Sequence, residues 1–297
     1  MTSSKTMVSL VVLLLIWREV SADDKTCIQC ATPSMNENWA QTGFPLKPSG
    51  LKFDKDCATA DASAIDSSLL SPNCASSCFE LMIPVEHVYN YVRGCHEQFV
   101  WDEMKVTVTN ETGTCEVNQV PDYGTVTPLS SDKEQTSAYA GIAFCKPTSE
   151  ETKCNKKLID TTVSNTGVAT CNSGSVHTCK SCGAYDGSGE CSAGTSGTCK
   201  GVYCTKTIGK MNGHNYESRG CASFNPFAQD VCSWTDQIFN VSTGVDTAQI
   251  SSRSKRGVSL SFQANQCFCQ GELCNSSPAS FSTLLLSTLS LIFLVST

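Results

Sequence analysis

The string Cys267-Phe268-Cys269-Gln270-Gly271-Glu272-Leu273-Cys274-Asn275 closes the cysteine-bearing part of this 297-residue chain. Its final Cys-Asn recurs at Cys171-Asn172. Working back from these two points divides the 20 cysteines into two runs of ten. The first is Cys27, Cys30, Cys57, Cys74, Cys78, Cys95, Cys115, Cys145, Cys154 and Cys171. The second is Cys179, Cys182, Cys191, Cys199, Cys204, Cys221, Cys232, Cys267, Cys269 and Cys274. Each run opens on C-x-x-C, at Cys27-Ile28-Gln29-Cys30 and Cys179-Lys180-Ser181-Cys182. The fifth and sixth members are 17 positions apart in both (95 − 78 and 221 − 204), and both sixth members end an Arg-Gly-Cys. This is an internal repeat, and a repeat describes two copies of one structural unit.

Composition agrees. A length of 297 residues suits about two domains. A net charge of −7 argues against nucleic acid, whose phosphates call for an excess of Lys and Arg. An even and large number of cysteines belongs in an oxidising compartment, where each can pair.

Both ends read as addresses. Lys5 followed by the apolar run Met7–Trp17, with Val20 and Ala22 before Asp23, predicts a secretory signal over 1–22. The run is too short to span a bilayer, and Arg18 and Glu19 end it. After Cys274 come small residues and Pro278, then the apolar tail Phe281–Val295, with no basic residue behind it. That pattern predicts a glycosylphosphatidylinositol (GPI) attachment propeptide over 276–297, with Asn275 or Ser276 as the attachment residue. Losing Lys5, Arg18 and Glu19 takes the 21 basic and 28 acidic residues to 19 and 27, a mature net charge of −8. All 20 cysteines stay in the ectodomain.

The two C-x-x-C openings, the paired Arg-Gly-Cys and the closing CFCQGELCN resemble the three-finger superfamily of the lymphocyte-antigen-6 and urokinase-receptor type, the LU domain. The resemblance implies two tandem LU domains over 23–172 and 179–275 with a linker over 173–178. The fold class it implies is all-β, small and disulfide-rich. It implies the pairs Cys179–Cys204, Cys182–Cys191, Cys199–Cys221, Cys232–Cys267 and Cys269–Cys274. The same order in the first half gives Cys27–Cys78, Cys30–Cys57, Cys74–Cys95, Cys115–Cys145 and Cys154–Cys171. The first half departs at its end, where Cys145 and Cys154 are separated and Cys154-Asn155 is itself a Cys-Asn. A closure at Cys154 with Cys171 paired elsewhere stays open; the pair Cys154–Cys171 is preferred because it leaves no cysteine over.

Local signals are those of strands. Lys105–Thr109 and Val258–Phe262 alternate β-branched or apolar residues with polar ones, and Trp234–Val241 is a candidate partner strand. Asn212-Gly213 marks a hairpin turn, the tip of the second finger in the resemblance. Small cores and long loops are expected, with disulfides restricting the unfolded chain.

No catalytic or metal constellation emerges. G-x-S-x-G, H-E-x-x-H and Gly-rich phosphate loops are absent, and no cofactor is implied. The C-x-x-C spacing suits zinc, but the secretory signal favours disulfides, and the four His (His87, His96, His177, His214) show no ligand spacing. His87 and His96 read as surface residues.

Aromatic and apolar groups on long loops are the candidate partner contacts: Trp39 and Phe44, Met82 and Ile83, Met211, and Phe224 and Phe227. Sequons stand at Asn110 and Asn240, which are expected to carry glycans, and at Asn275, which the resemblance makes a buried hydrogen bonder. Arg253-Ser254-Lys255-Arg256 matches a furin-type cleavage pattern in the third finger. The expected function is non-catalytic: a GPI-anchored surface glycoprotein binding an extracellular or membrane protein as a receptor, channel or adhesion modulator. A secreted inhibitor of an extracellular enzyme and a structural cell-junction component are the alternatives.

Overall fold

The computed structural model describes residues 25–58, 67–71, 73–85, 88–109, 113–120, 138–148, 153–156, 159, 171–242 and 257–276. The signal segment, the apolar tail, His87, Asn110 and Arg253–Arg256 lie outside these residues, as does the side chain of Asn240.

The described chain is mostly β and forms two sheets in tandem. The first contains β1 (Cys30–Ala31), β2 (Lys52–Phe53), β3 (Cys78–Val85), β4 (Val88–Cys95), β5 (Thr114–Gln119) and β6 (Tyr139–Cys145), in the order β2-β1-β4-β3-β6-β5. The second contains β7 (His177–Tyr185), β8 (Ser188–Gly189), β10 (Tyr203–Met211), β11 (His214–Ala222), β12 (Val231–Ser242) and β13 (Gly257–Cys269), in the order β12-β13-β10-β11-β7-β8. Strand β9 (Gly197–Gly201) pairs with β7 beside this path. A four-residue helix, α1 (Glu190–Ala193), and short 3-10 turns complete the described elements.

The repeat seen in the cysteines is a repeat of register. Cys78 faces Cys95 on one side and Cys145 on the other. Cys204 faces Cys221 and Cys269 in the same way. The β10–β11 hairpin turns at Asn212 and Gly213, with φ of 52° and 82°, the left-handed values that Asn-Gly accommodates. Strands β12 and β13 contain the segments expected from alternation. Lys105–Thr109 forms no strand. Two of its donors go to side chains instead: Val106 N–H donates to His96 Nδ1 (2.9 Å) and Val108 N–H to Ser77 Oγ (2.7 Å).

Disulfides join every cysteine, and eight of the ten pairs are those the resemblance implied. The other two correct it: Cys115 pairs with Cys171, and Cys145 with Cys154. Register supplies the reason. In the second sheet Cys232 lies opposite Cys267, so the pair closes across the ladder. In the first sheet the residue opposite Cys115 is Ala143. With no sulfur there, Cys115 is met by the returning segment, where Asn172 bridges Glu116 and exchanges backbone hydrogen bonds with Cys115 and Val117.

Two buried asparagines confirm where each copy closes. Asn275 Oδ1 accepts from Lys180 N–H at 2.9 Å, and its Nδ2 donates to the carbonyls of Lys180 and Thr205. Asn155 Oδ1 accepts from Ile28 N–H at 3.0 Å, and its Nδ2 donates to the carbonyls of Ile28 and Phe79. Ile28 and Lys180 each follow the first Cys of a run; Phe79 and Thr205 each follow the fifth. Asn155, not the exposed Asn172, is therefore the counterpart of Asn275.

The core is shared between the sheets rather than split into two small ones. Trp39, Phe44, Phe79, Phe99 and Phe144 from the first half pack in one cluster with Val202, Tyr203, Phe224, Phe227 and Phe268 from the second. Phe79 and Phe99 meet edge to face with centroids 4.8 Å apart, a favoured aromatic geometry.

Candidate functional site

The junction between the two sheets is where the sequence places most of its large side chains. The loop after the C-x-x-C of the first half folds back over its sheet, putting Trp39 and Phe44 inside. Phe224-Asn225-Pro226-Phe227 enters from the second half. Asn225 Oδ1 accepts from Phe227 N–H and its Nδ2 donates to Gln229 O, so a side chain holds this turn from within.

The Pro226 carbonyl from that turn accepts a hydrogen bond from His96 Nε2 at 2.8 Å. Because His96 Nδ1 already accepts from Val106, the ring is neutral with its proton on Nε2. It is fully buried, with the rings of Phe44, Phe79 and Phe144 around it. That burial holds its pKa down at about 4, against a weaker opposing effect of the Pro226 carbonyl. The surface reading of His96 is thus corrected.

Other polar contacts cross the junction. Asn118 Nδ2 donates to Ser223 O at 2.6 Å, and Ser223 Oγ donates to Gln119 O. Tyr203 O–H donates to Glu116 Oε2 at 2.7 Å, and burial, aided by that carboxylate, pushes the phenol pKa up. Gln237 Nε2 donates to Phe44 O, and Trp101 Nε1 to Trp234 O at 2.7 Å.

Beside this welded region the sheets part and leave an open cleft of about 710 Å³. Its first wall carries Ile83, Pro84 and Val85 at the end of β3, with Val120 and Ala140. Its second wall is the inner face of the second sheet. There Gly220, Thr205 and Phe268 stand opposite one another across β11, β10 and β13. Gln266 follows on the same face of β13, and Ser181 contributes from β7. Asn38 and Gln41 also line it. Among the described residues none that lines the cleft is ionisable.

Gly220 explains why the cleft exists. Its counterpart Gly94 has no room for a side chain: a Cβ there would lie 2.2 Å from the Phe99 ring. At Gly220 a Cβ would meet only Thr205 Oγ1, at 3.5 Å. The same Arg-Gly-Cys position is filled by a phenylalanine in the first copy and open in the second.

The structure redistributes the expected partner contacts. Trp39, Phe44, Met82, Ile83, Phe224 and Phe227 are all buried, so they are core residues, with Ile83 and Phe224 also edging the cleft. Met211, at the hairpin tip, is half-buried. Large apolar groups that do face solvent include Trp101, Trp234, Ile208 and Ile238. Sequence reasoning missed Trp234 and Ile238 because β12 inverts the usual alternation: Ser233 and Thr235 point inward, Trp234 and Ile238 outward. Asn275 is buried, as expected of a structural asparagine. Every cysteine sulfur is in a disulfide, which leaves no thiolate for zinc. Among the described residues no helix is long and apolar enough to cross a membrane.

A scan against protein-family models, a search of curated proteins and a search of solved structures each found no match. The architecture itself is all-β and disulfide-rich, consistent with a three-finger-like fold.

Proposed function

We propose that this chain is a GPI-anchored cell-surface glycoprotein of the LU type that binds an extracellular or membrane protein without catalysing a reaction. The observation that carries the reading is the cleft between two sheets that share one core, whose described lining residues are all uncharged. A rigid body cross-linked by ten disulfides presents a preformed surface, which lowers the ordering cost of association. The described lining of the cleft offers amides, hydroxyls and apolar groups, which suit binding. The small residues and apolar tail after Cys274 support lipid anchoring.

Phosphatidylinositol-specific phospholipase on intact expressing cells tests both halves of the reading. The protein is expected in the medium, and the shed ectodomain is expected to rebind a cell surface saturably. Retention with the tail peptide still detectable counts for a spanning anchor. Failure of saturable rebinding on every cell type tested counts against a binding role.

A further inference from the structure

We infer that the cleft between the sheets is a binding site for an uncharged, amphipathic, extended peptide segment of the partner. The inference deepens the binding reading above and rests on it. Three observations carry it.

The first is charge. The chain carries 28 acidic and 21 basic residues, yet among the described residues no ionisable side chain lines the cleft. A charged ligand entering there would lose hydration with no counter-charge to replace it, a cost that selects against carboxylates, phosphates and ammonium groups. A peptide backbone carries only neutral donors and acceptors.

The second is the difference between the walls. Ile83, Val85, Val120 and Ala140 make one wall apolar. Ser181, Thr205 and Gln266 add hydroxyls and an amide to the other, beside Phe268 and the Cys199–Cys221 disulfide. An extended chain alternates its side chains between two faces, so a segment with small apolar residues on one face and Ser, Thr, Asn or Gln on the other matches both walls at once. A lipid chain would leave the polar wall unpaired.

The third is access. Gly220 and Thr205 keep the floor of the second wall shallow, and the space above Gly220 that Phe99 fills in the first copy stays open. The volume of about 710 Å³ lies within the ~300–1,000 Å³ range of ligand sites.

The test uses the disulfide-intact ectodomain, residues 23–276. The probe is acetyl-Gly-Val-Thr-Val-Thr-Val-Gly-amide, with a control whose central Val is Asp and a second control of monomeric dodecyl maltoside. Calorimetry is expected to show binding of the neutral peptide and at least about tenfold weaker binding of the Asp control, a difference of about 1.4 kcal/mol. Gly220→Leu fills the cleft where a Cβ meets nothing closer than 3.5 Å. Gln266→Glu keeps the shape and adds a charge. Each is expected to weaken the neutral peptide about tenfold or more, while Trp234→Ala on the outer face leaves it unchanged. Secretion and unaltered thermal unfolding show that the variants fold. Binding of the maltoside without the peptide, or peptide binding insensitive to both cleft variants, overturns the inference. If the peptide fails while the shed ectodomain still rebinds cells, the cleft assignment falls and the binding role stands.

Discussion

Single residues separate the two copies more sharply than their shared cysteines do. Asn155 and Asn275 each satisfy one backbone donor and at least two carbonyls in buried positions. Replacing Asn155 by Ala leaves those groups unpaired and is expected to cost about 2–4 kcal/mol, enough to lower secretion severely. Asn172→Ala, at an exposed side chain, is expected to change stability by less than about 0.5 kcal/mol. Chemical unfolding of the two variants compares them directly; the reverse ranking would place the closure at Asn172. The glycines of the two Arg-Gly-Cys motifs diverge as well. Gly94→Ala must displace the buried Phe99 ring and is expected to cost about 1–3 kcal/mol, whereas Gly220→Ala is expected to be nearly silent. The Arg-Gly-Cys match establishes equivalence of position, and which glycine is crowded depends on where Phe99 arrives through the fold.

His96 makes a pH prediction at the same scale. Its folded pKa, about 4, lies below the ordinary value of 6.5, so the unfolded chain takes up the proton first. Above pH 6.5 the group contributes nothing to the pH dependence. As pH falls from 6.5 towards 4, stability drops, by about 3 kcal/mol at the lower end. Urea unfolding between pH 7 and pH 4 should show this loss, and His96→Gln should remove that part of it. An equal slope in the variant would mean that His96 is not the group responsible.

At the scale of elements, the features legible in the chain are those that local chemistry sets. Asn212-Gly213 marks the β10–β11 turn, and alternation marks β12 and β13. The C-x-x-C and Arg-Gly-Cys motifs carry the resemblance that implied eight of the disulfides. Lys105–Thr109 alternates equally well, yet its backbone is engaged by Ser77 and His96 rather than by a neighbouring strand. The pairing of Cys115 turned on Ala143, whose position opposite it is fixed only once β5 and β6 are in register. Non-reducing peptide mapping is expected to recover Cys115–Cys171 and Cys145–Cys154 as separate linked pairs. Recovery of Cys115–Cys145 with Cys154–Cys171 would contradict the register. The aromatic loops were misread for a physical reason: an aromatic residue between Gly and Pro looks the same whether the loop projects or folds back, and Trp39 and Phe44 fold back.

For the whole molecule, the shared core means that neither sheet is complete alone. Separating the halves would break up the shared cluster, parting Phe224, Phe227, Phe268 and Val202 from the Gly43–Phe44 and His96 side of the first half. At about 25 cal/mol per Å² of apolar surface, losing that burial takes several kcal/mol from a margin of only about 5–15. Residues 23–172 and 173–276 expressed separately are expected to aggregate or be retained, and together to fold as one cooperative unit. Independent secretion of both halves would show that the junction is not structural. The cleft, being built from both halves, was invisible to any reading of either one.

The central proposal is that the chain engages a protein partner between the sheets. A photo-reactive benzoylphenylalanine placed at Gln41, an exposed residue of the cleft lining, compared with one at Trp234 on the outer face and one at Asn212 on the fingertip, tests it on living cells. A discrete cross-linked partner is expected from position 41 and little from the other two, with the product lost on adding excess unlabelled ectodomain. A partner cross-linked from position 212 or 234 but not from 41 would contradict it.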